Sequence, residues 1–328
     1  MLVYRTSPRF RAVALASLFG AAVAHAQQPV AWRFSAPDAA AAWFHTLDNA
    51  RLAGPGALGF YRSAGGAHSP LARTLAASAS YEILHFVPLY YPSATRAELA
   101  RALREAAAAS PAPNAPRAAF LVGALTSALP TSAARAPLLA LADLTLQSLP
   151  AAILPSALAR WQHSWDTRFA NPLAPFLRAE RLDGGLVMVA DALGPEGRLF
   201  AGRPADRTDN VVAIGTFGAP PDLDAPVFAL VRELCFPLVS RAADQTPALR
   251  ASRAESARRT SVAAVRCGAD LLDRVAPAEA SAYRAHWQHA ARTGVQRDSP
   301  DDFDSLFPPD PLLAPRIRTA LIRSVDRP

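Results

Sequence analysis

The segment from Val227 to Leu238 carries the pattern in this chain with most chemical content. Arg232 and Glu233 stand side by side, Phe236 follows the glutamate by three, and eighteen residues separate Phe236 from a second glutamate, Glu255. On a helix, positions 232 and 236 share one face. Histidines so placed bind zinc through their ring nitrogens, and the glutamate between them acts as general base on the metal-bound water. Here a guanidinium and a phenyl ring take the two ligand positions. Arg232 puts a permanent positive charge where a cation would sit, and Phe236 has no lone pair to give. Glu255 alone cannot hold a metal.

The elements that must position these residues follow from pattern. Gly185–Ala190 reads as a strand, Gly194-Pro195-Glu196-Gly197 as a turn, and Arg198–Ala201 as a returning strand. Asn210–Thr216 is a further strand, rich in Val and Ile. Helices are expected over Pro226–Ala243, Pro247–Arg274 and Ala278–Ala291, the second opened by Thr246 before Pro247. Upstream, helices are expected over Ala39–Ala50, Ala118–Leu129, Ser132–Leu149 and Pro155–Trp165. Thr95 and Glu98 form a capping box for a helix reaching about Ala108. Ser80–Tyr91 reads as an extended or irregular buried segment around Pro88, Gly54–Gly66 as a glycine-rich passage, and the proline-rich tail from Ser299 as surface chain. The fold class is α+β and mostly helical, with a small mixed sheet followed by a helix-loop-helix. The expected division is a leader over 1–26, a helical region over 27–180, and an α+β region over 181–328 that includes the tail.

Over roughly residues 183–292 this arrangement resembles the gluzincin class of zinc metallopeptidases. In that class, HExxH on a helix is followed at about this distance by a glutamate as third ligand, and a sheet precedes the helix. Arg232 and Phe236 fall on the two histidine positions, Glu233 on the base and Glu255 on the third ligand; only the glutamates match. The resemblance implies a zincin-like fold with a vestigial site, no bound metal and no cofactor. It leaves Arg232 free to pair with Glu255 in place of the ion. The function implied is that of a non-catalytic module whose groove binds peptide or protein. The alternatives are an active hydrolase whose residues form no recognisable motif, and an exported helical structural protein unrelated to peptidases.

Other candidates are weaker. His286 and His289 lie three apart on a helix but bring no further ligand, and read as packing or surface residues. Trp161 and Trp165, with His163 between, read as a buried aromatic face. Asp166 and Asp191 have no visible carboxylate partner, and no nucleophile-elbow, phosphate-loop or dinucleotide glycine pattern occurs. Cys235 and Cys267 allow one disulfide in an oxidising compartment; the rival reading is two small buried thiols.

Composition limits the setting. Arg5, Arg9 and Arg11 precede an apolar run from Ala12 to Ala24 and the small-residue site Ala24-His25-Ala26, the pattern of a cleavable export signal. The expected location is periplasmic or secreted. The remaining 302 residues suffice for a sizeable core, and 51% apolar with 19% charged residues favours folding over disorder. The net charge of +7 includes the three leader arginines. No basic patch interleaved with aromatics is present, so nucleic acid is not an expected partner. No later apolar run is clean enough for a transmembrane anchor.

Overall fold

The computed structural model describes residues 31–50, 52, 59–62, 70–110, 114–202, 210–216, 224–293 and 302–325. The leader 1–26 and most of the glycine-rich passage 54–66 lie outside the described residues. The fold is α+β, mostly helical, around one four-stranded mixed sheet.

The strands are β1 (Ala31–Ser35), β2 (Gly184–Val189), β3 (Arg198–Phe200) and β4 (Val211–Ile214), in the spatial order β1-β2-β4-β3. The first three in that order run parallel, with Phe34 beside Val187 and Val187 beside Val212; β3 closes the edge antiparallel to β4. Alternation along the strands divides the side chains between two cores. Val187, Val189, Val212 and Ile214 enter one core, while Met188, Val211 and Ala213 enter the other.

Helices cover both faces. Against the Met188 face lie α1 (Asp38–Asn49), α2 (Arg96–Ala108), α3 (Pro116–Ala128) and α4 (Pro137–Gln147), contributing Trp43, Leu103, Leu121 and Leu141 to that core. Next comes α5 (Pro155–Ser164), which passes through a π-helical turn at Trp165–Phe169 into α6 (Ala170–Ala179). Against the Val187 face lie α6, α7 (Ala225–Asp244), α8 (Arg253–Val275), α9 (Pro277–Thr293) and α10 (Ala314–Val325). Burying each apolar helix stripe on one side of the sheet is what makes three layers the stable solution.

Several local expectations are corrected. β1 falls outside the elements expected from pattern, yet it supplies the buried Trp32, whose indole N–H donates to Leu182 O at 2.9 Å. Ser80–Tyr91 is a 3-10 helix (Ala79–Phe86) and one α-turn (Val87–Tyr90), not extended chain. Pro137 divides the expected 132–149 helix, since it cannot donate to the preceding turn and instead starts α4. The 247–274 helix also divides: Pro247–Arg250 ends, and Ser252 caps α8 by accepting from Glu255 N at 3.4 Å. The tail is not surface chain throughout, because Phe303, Phe307, Ile317 and Leu321 are buried against the second core. The Thr95 capping box is present in full, with Thr95 N donating to Glu98 Oε2 at 2.8 Å.

Candidate functional site

The turn between β2 and β3 carries Glu196 and Gly197 onto the side of α7. There Glu233 Oε1 accepts from Gly197 N at 2.9 Å and from Arg232 Nη1. Gly197 is required by this approach: a Cβ would stand 2.5 Å from Ala213 O and 2.8 Å from Glu233 Cγ. Arg232 Nη2 donates to Ser261 Oγ on α8 at 3.2 Å and lies 3.8 Å from Glu196 Oε1. Ser261 Oγ in turn donates to Glu196 Oε1. Arg232, Glu233 and Glu196 are each only 1% exposed. The Arg232 Nε has no hydrogen-bond partner among the described residues.

Arg198, at the start of β3, adds a second cation beside this group. Its guanidinium lies 4.3 Å from the Phe60 ring centroid, and its Nη1 donates to Gly197 O at 2.7 Å. Behind it, the Tyr61 hydroxyl and His85 Nδ1 are 2.9 Å apart. Arg232 and the two carboxylates are thus fully buried in one seam, with the half-buried Arg198 guanidinium near enough to feel both glutamates. Burial works against the charge on Arg232, but Glu233 and Glu196 outweigh it and hold the guanidinium above its ordinary value. For Arg198 burial prevails over the same two glutamates, and its value falls. Burial, with Arg198 nearby, lowers His85 to about 3, so its ring is neutral at physiological pH. Burial likewise raises the Tyr61 hydroxyl well above its usual range.

The residues singled out by spacing are distributed as follows. Arg232 and Glu233 meet in the seam, and Phe236 packs against the core with its ring centroid 5.6 Å from the Arg232 guanidinium. Glu255 is elsewhere, and the expected Arg232–Glu255 pairing is replaced. Glu255 sits in the first turn of α8 with its side chain 36% exposed, bound to Arg258 at 3.0 Å and Arg259 at 2.6 Å. Hydrogen bonds from those two arginines lower it to about 2. The α8 residue opposite Arg232 is Ser261, six positions on. At 1.5 Å per residue that is about 9 Å along the axis, and about 120° away in phase.

Cys235 and Cys267 are both buried free thiols, on α7 and α8. Burial raises the Cys267 thiol well above its ordinary value, and the neighbouring Cys235 adds to the effect. His286 is buried against Phe228 and Trp287, while His289 on the same helix is exposed. Trp161 and Trp165 are core residues, the latter stacked on Phe169. Asp166 accepts from Gln162 at 2.9 Å, and Asp191 pairs with Arg62 at 2.6 Å. No cluster of three or more His, Cys, Asp or Glu side chains is arranged to hold a metal among the described residues. No helix among them is long and apolar enough to cross a membrane.

Glu196, Arg198, Ser261, Tyr61 and His85 are not found by reading spacing. Glu196 lies in a Gly-Pro-Glu-Gly turn, which marks a change of direction and says nothing of burial. Family models, curated proteins and solved structures contain no match to the chain.

Proposed function

We propose that the chain is a degenerate, exported relative of the gluzincin metallopeptidases in which a buried ion-pair cluster replaces the metal, and that it serves as a peptide- or protein-binding module rather than a hydrolase. The observation that carries this reading is the Arg232 guanidinium, enclosed by Glu233, Glu196 and Ser261 at the position of the first histidine ligand. Supporting it, α7 follows a mixed sheet, binds the edge-strand turn through Glu233, and leads through the short helical turn Pro247–Arg250 into α8. In the zincin-like reading these two helices are the active-site helix and the third-ligand helix.

The chemistry of the cluster is structural. Glu233 is poorly placed to activate water, since Arg232 and Gly197 N hold its Oε1 and the side chain is buried. Replacement of the guanidinium by a metal is disfavoured, because the permanently charged Arg232 would be left buried without its carboxylates.

Metal analysis and a peptidase assay on the purified full chain test the proposal. The expected result is less than stoichiometric zinc and no casein hydrolysis sensitive to a chelator. Stoichiometric zinc that disappears in Glu255→Ala, with chelator-sensitive hydrolysis, overturns it. Export is tested separately by the mature N-terminus, expected near Gln27.

A further inference from the structure

A cavity of about 470 Å³ lies between α8 and the segment that runs from Pro309 into α10. Its volume falls in the range of small-molecule sites. Ala263 and Cys267 from α8, with Ile317 and Leu321 from α10, give it an apolar floor.

The charges in its wall are not evenly committed. Each acid is already held by an arginine: Asp270 by Arg266 at 3.3 Å, Asp310 by Arg259 at 3.2 Å, and Asp273 by Arg284. Asp310 also accepts the backbone N–H groups of Leu312 and Leu313 at 2.8 and 3.1 Å. Arg274 and Arg318 line the same cavity and are exposed. Neither has a hydrogen-bond or ion-pair partner among the described residues. Arg259 and Arg266 are shared with Glu255 and Asp304, so every acid of the wall has an arginine partner, and two further guanidiniums remain at the rim of a hollow with an apolar floor and a polar wall.

We infer that this cavity binds an apolar monocarboxylate, its chain on Ala263, Ile317 and Leu321 and its carboxylate between Arg274 and Arg318. A guanidinium offers paired N–H donors that match a carboxylate and is only weakly hydrated, so it suits an anion at the rim of an apolar surface. The same chemistry is presented by a free fatty acid and by the C-terminus of a peptide ending in an apolar residue. The inference does not rest on the reading of the Arg232 cluster.

Titration calorimetry on the full chain tests it, with octanoate, octylammonium, and a short peptide ending in leucine as the free acid or the amide. Saturable one-to-one binding of octanoate or of the peptide acid is expected, with neither octylammonium nor the peptide amide binding. Which acid binds more tightly assigns the source. In Arg274→Gln/Arg318→Gln the affinity should fall at least tenfold. Both side chains are exposed, so the variant should melt like the wild type. The single change Arg318→Gln gives an independent measure should the double variant melt lower. The inference is overturned if neither acid binds, if octylammonium binds equally well, or if the substitutions leave the affinity unchanged.

Discussion

Arg232 on α7 and Ser261 on α8 face each other, with Nη2 3.2 Å from Oγ, and this contact fixes the phase of α8 against α7. Counting residues from Phe236 selects Glu255 instead, because a distance along the chain carries no information on helix phase. The chain breaks at Ala251, and Ser252 restarts the helix with a fresh cap. After such a break, spacing in sequence no longer predicts which residue points inward. Ser261 is also short, which leaves room for the Glu196 carboxylate to reach its hydroxyl.

The cluster makes Arg232 the most costly residue to remove. Arg232→Ala leaves Glu233 and Glu196 buried without their shared cation, a loss of about 3–5 kcal/mol for breaking a buried pair. Urea unfolding should register it as a lower midpoint with an unchanged slope. Glu255→Gln should shift the midpoint far less, since Glu255 and Arg258 are open to solvent and the half-buried Arg259 keeps Asp310 as a partner. A large effect at Glu255 and a small one at Arg232 would mean that the phase of α8 is wrong.

The two glycines with opposite surroundings predict opposite outcomes. At Gly197, a methyl group meets both Ala213 O and Glu233, and Gly197→Ala should destabilise by about 1–3 kcal/mol through overpacking. At Gly123 within α3, a Cβ meets nothing within 4 Å. Gly123→Ala should therefore stabilise by about 0.4–1 kcal/mol, through helix propensity and a less free unfolded chain. Thermal melts of the two variants, compared with the wild type, read the sign directly.

Much of this architecture is legible from residues alone. The Thr95–Glu98 capping box, the Val-rich strands and the long amphipathic helices each advertise themselves through local chemistry that does not depend on distant partners. β1 does not: five residues with one fully buried tryptophan make too short a period to separate from loop. The α10 helix is hidden behind Pro308, Pro309, Pro311 and Pro315, although the last of these is tolerated in its first turn. The buried seam is the least legible part. It draws on a turn, an edge strand, two helices and the side chains of Phe60, Tyr61 and His85, and a charged residue in a turn reads as solvated until tertiary packing closes over it.

Cys235 and Cys267 predict a reactivity pattern. Both thiols are buried, and burial holds Cys267 mainly in its unreactive protonated form. Purified under reducing conditions, the native chain should react slowly with a disulfide-type thiol reagent, and two thiols should appear together on unfolding. A fast-reacting native thiol would contradict this burial. Chain exported through an oxidising compartment and weighed intact answers the other question: a bridge makes it about 2 Da lighter than the dithiol.

Acid should weaken the fold through its buried histidines. His85 is lowered to about 3 by burial and by Arg198, and His286 to about 4 by burial and by His289. The unfolded forms titrate near 6.5. Between those values the unfolded state binds protons that the native state refuses, so stability rises with pH. The stabilisation is complete above about 6.5 and is lost as pH falls toward 3–4, at up to about 1.4 kcal/mol per pH unit for each ring. Asp270, raised by burial, contributes with the opposite sign, so the total slope alone does not isolate the histidines. Comparing variants does. Urea midpoints at pH 7 and pH 4.5 should differ less in His286→Gln than in the wild type, and less again in the double variant with His85→Gln. Equal differences in all three would show that these rings do not reach their neutral, buried state in solution, and that the seam beside Arg198 is open to water.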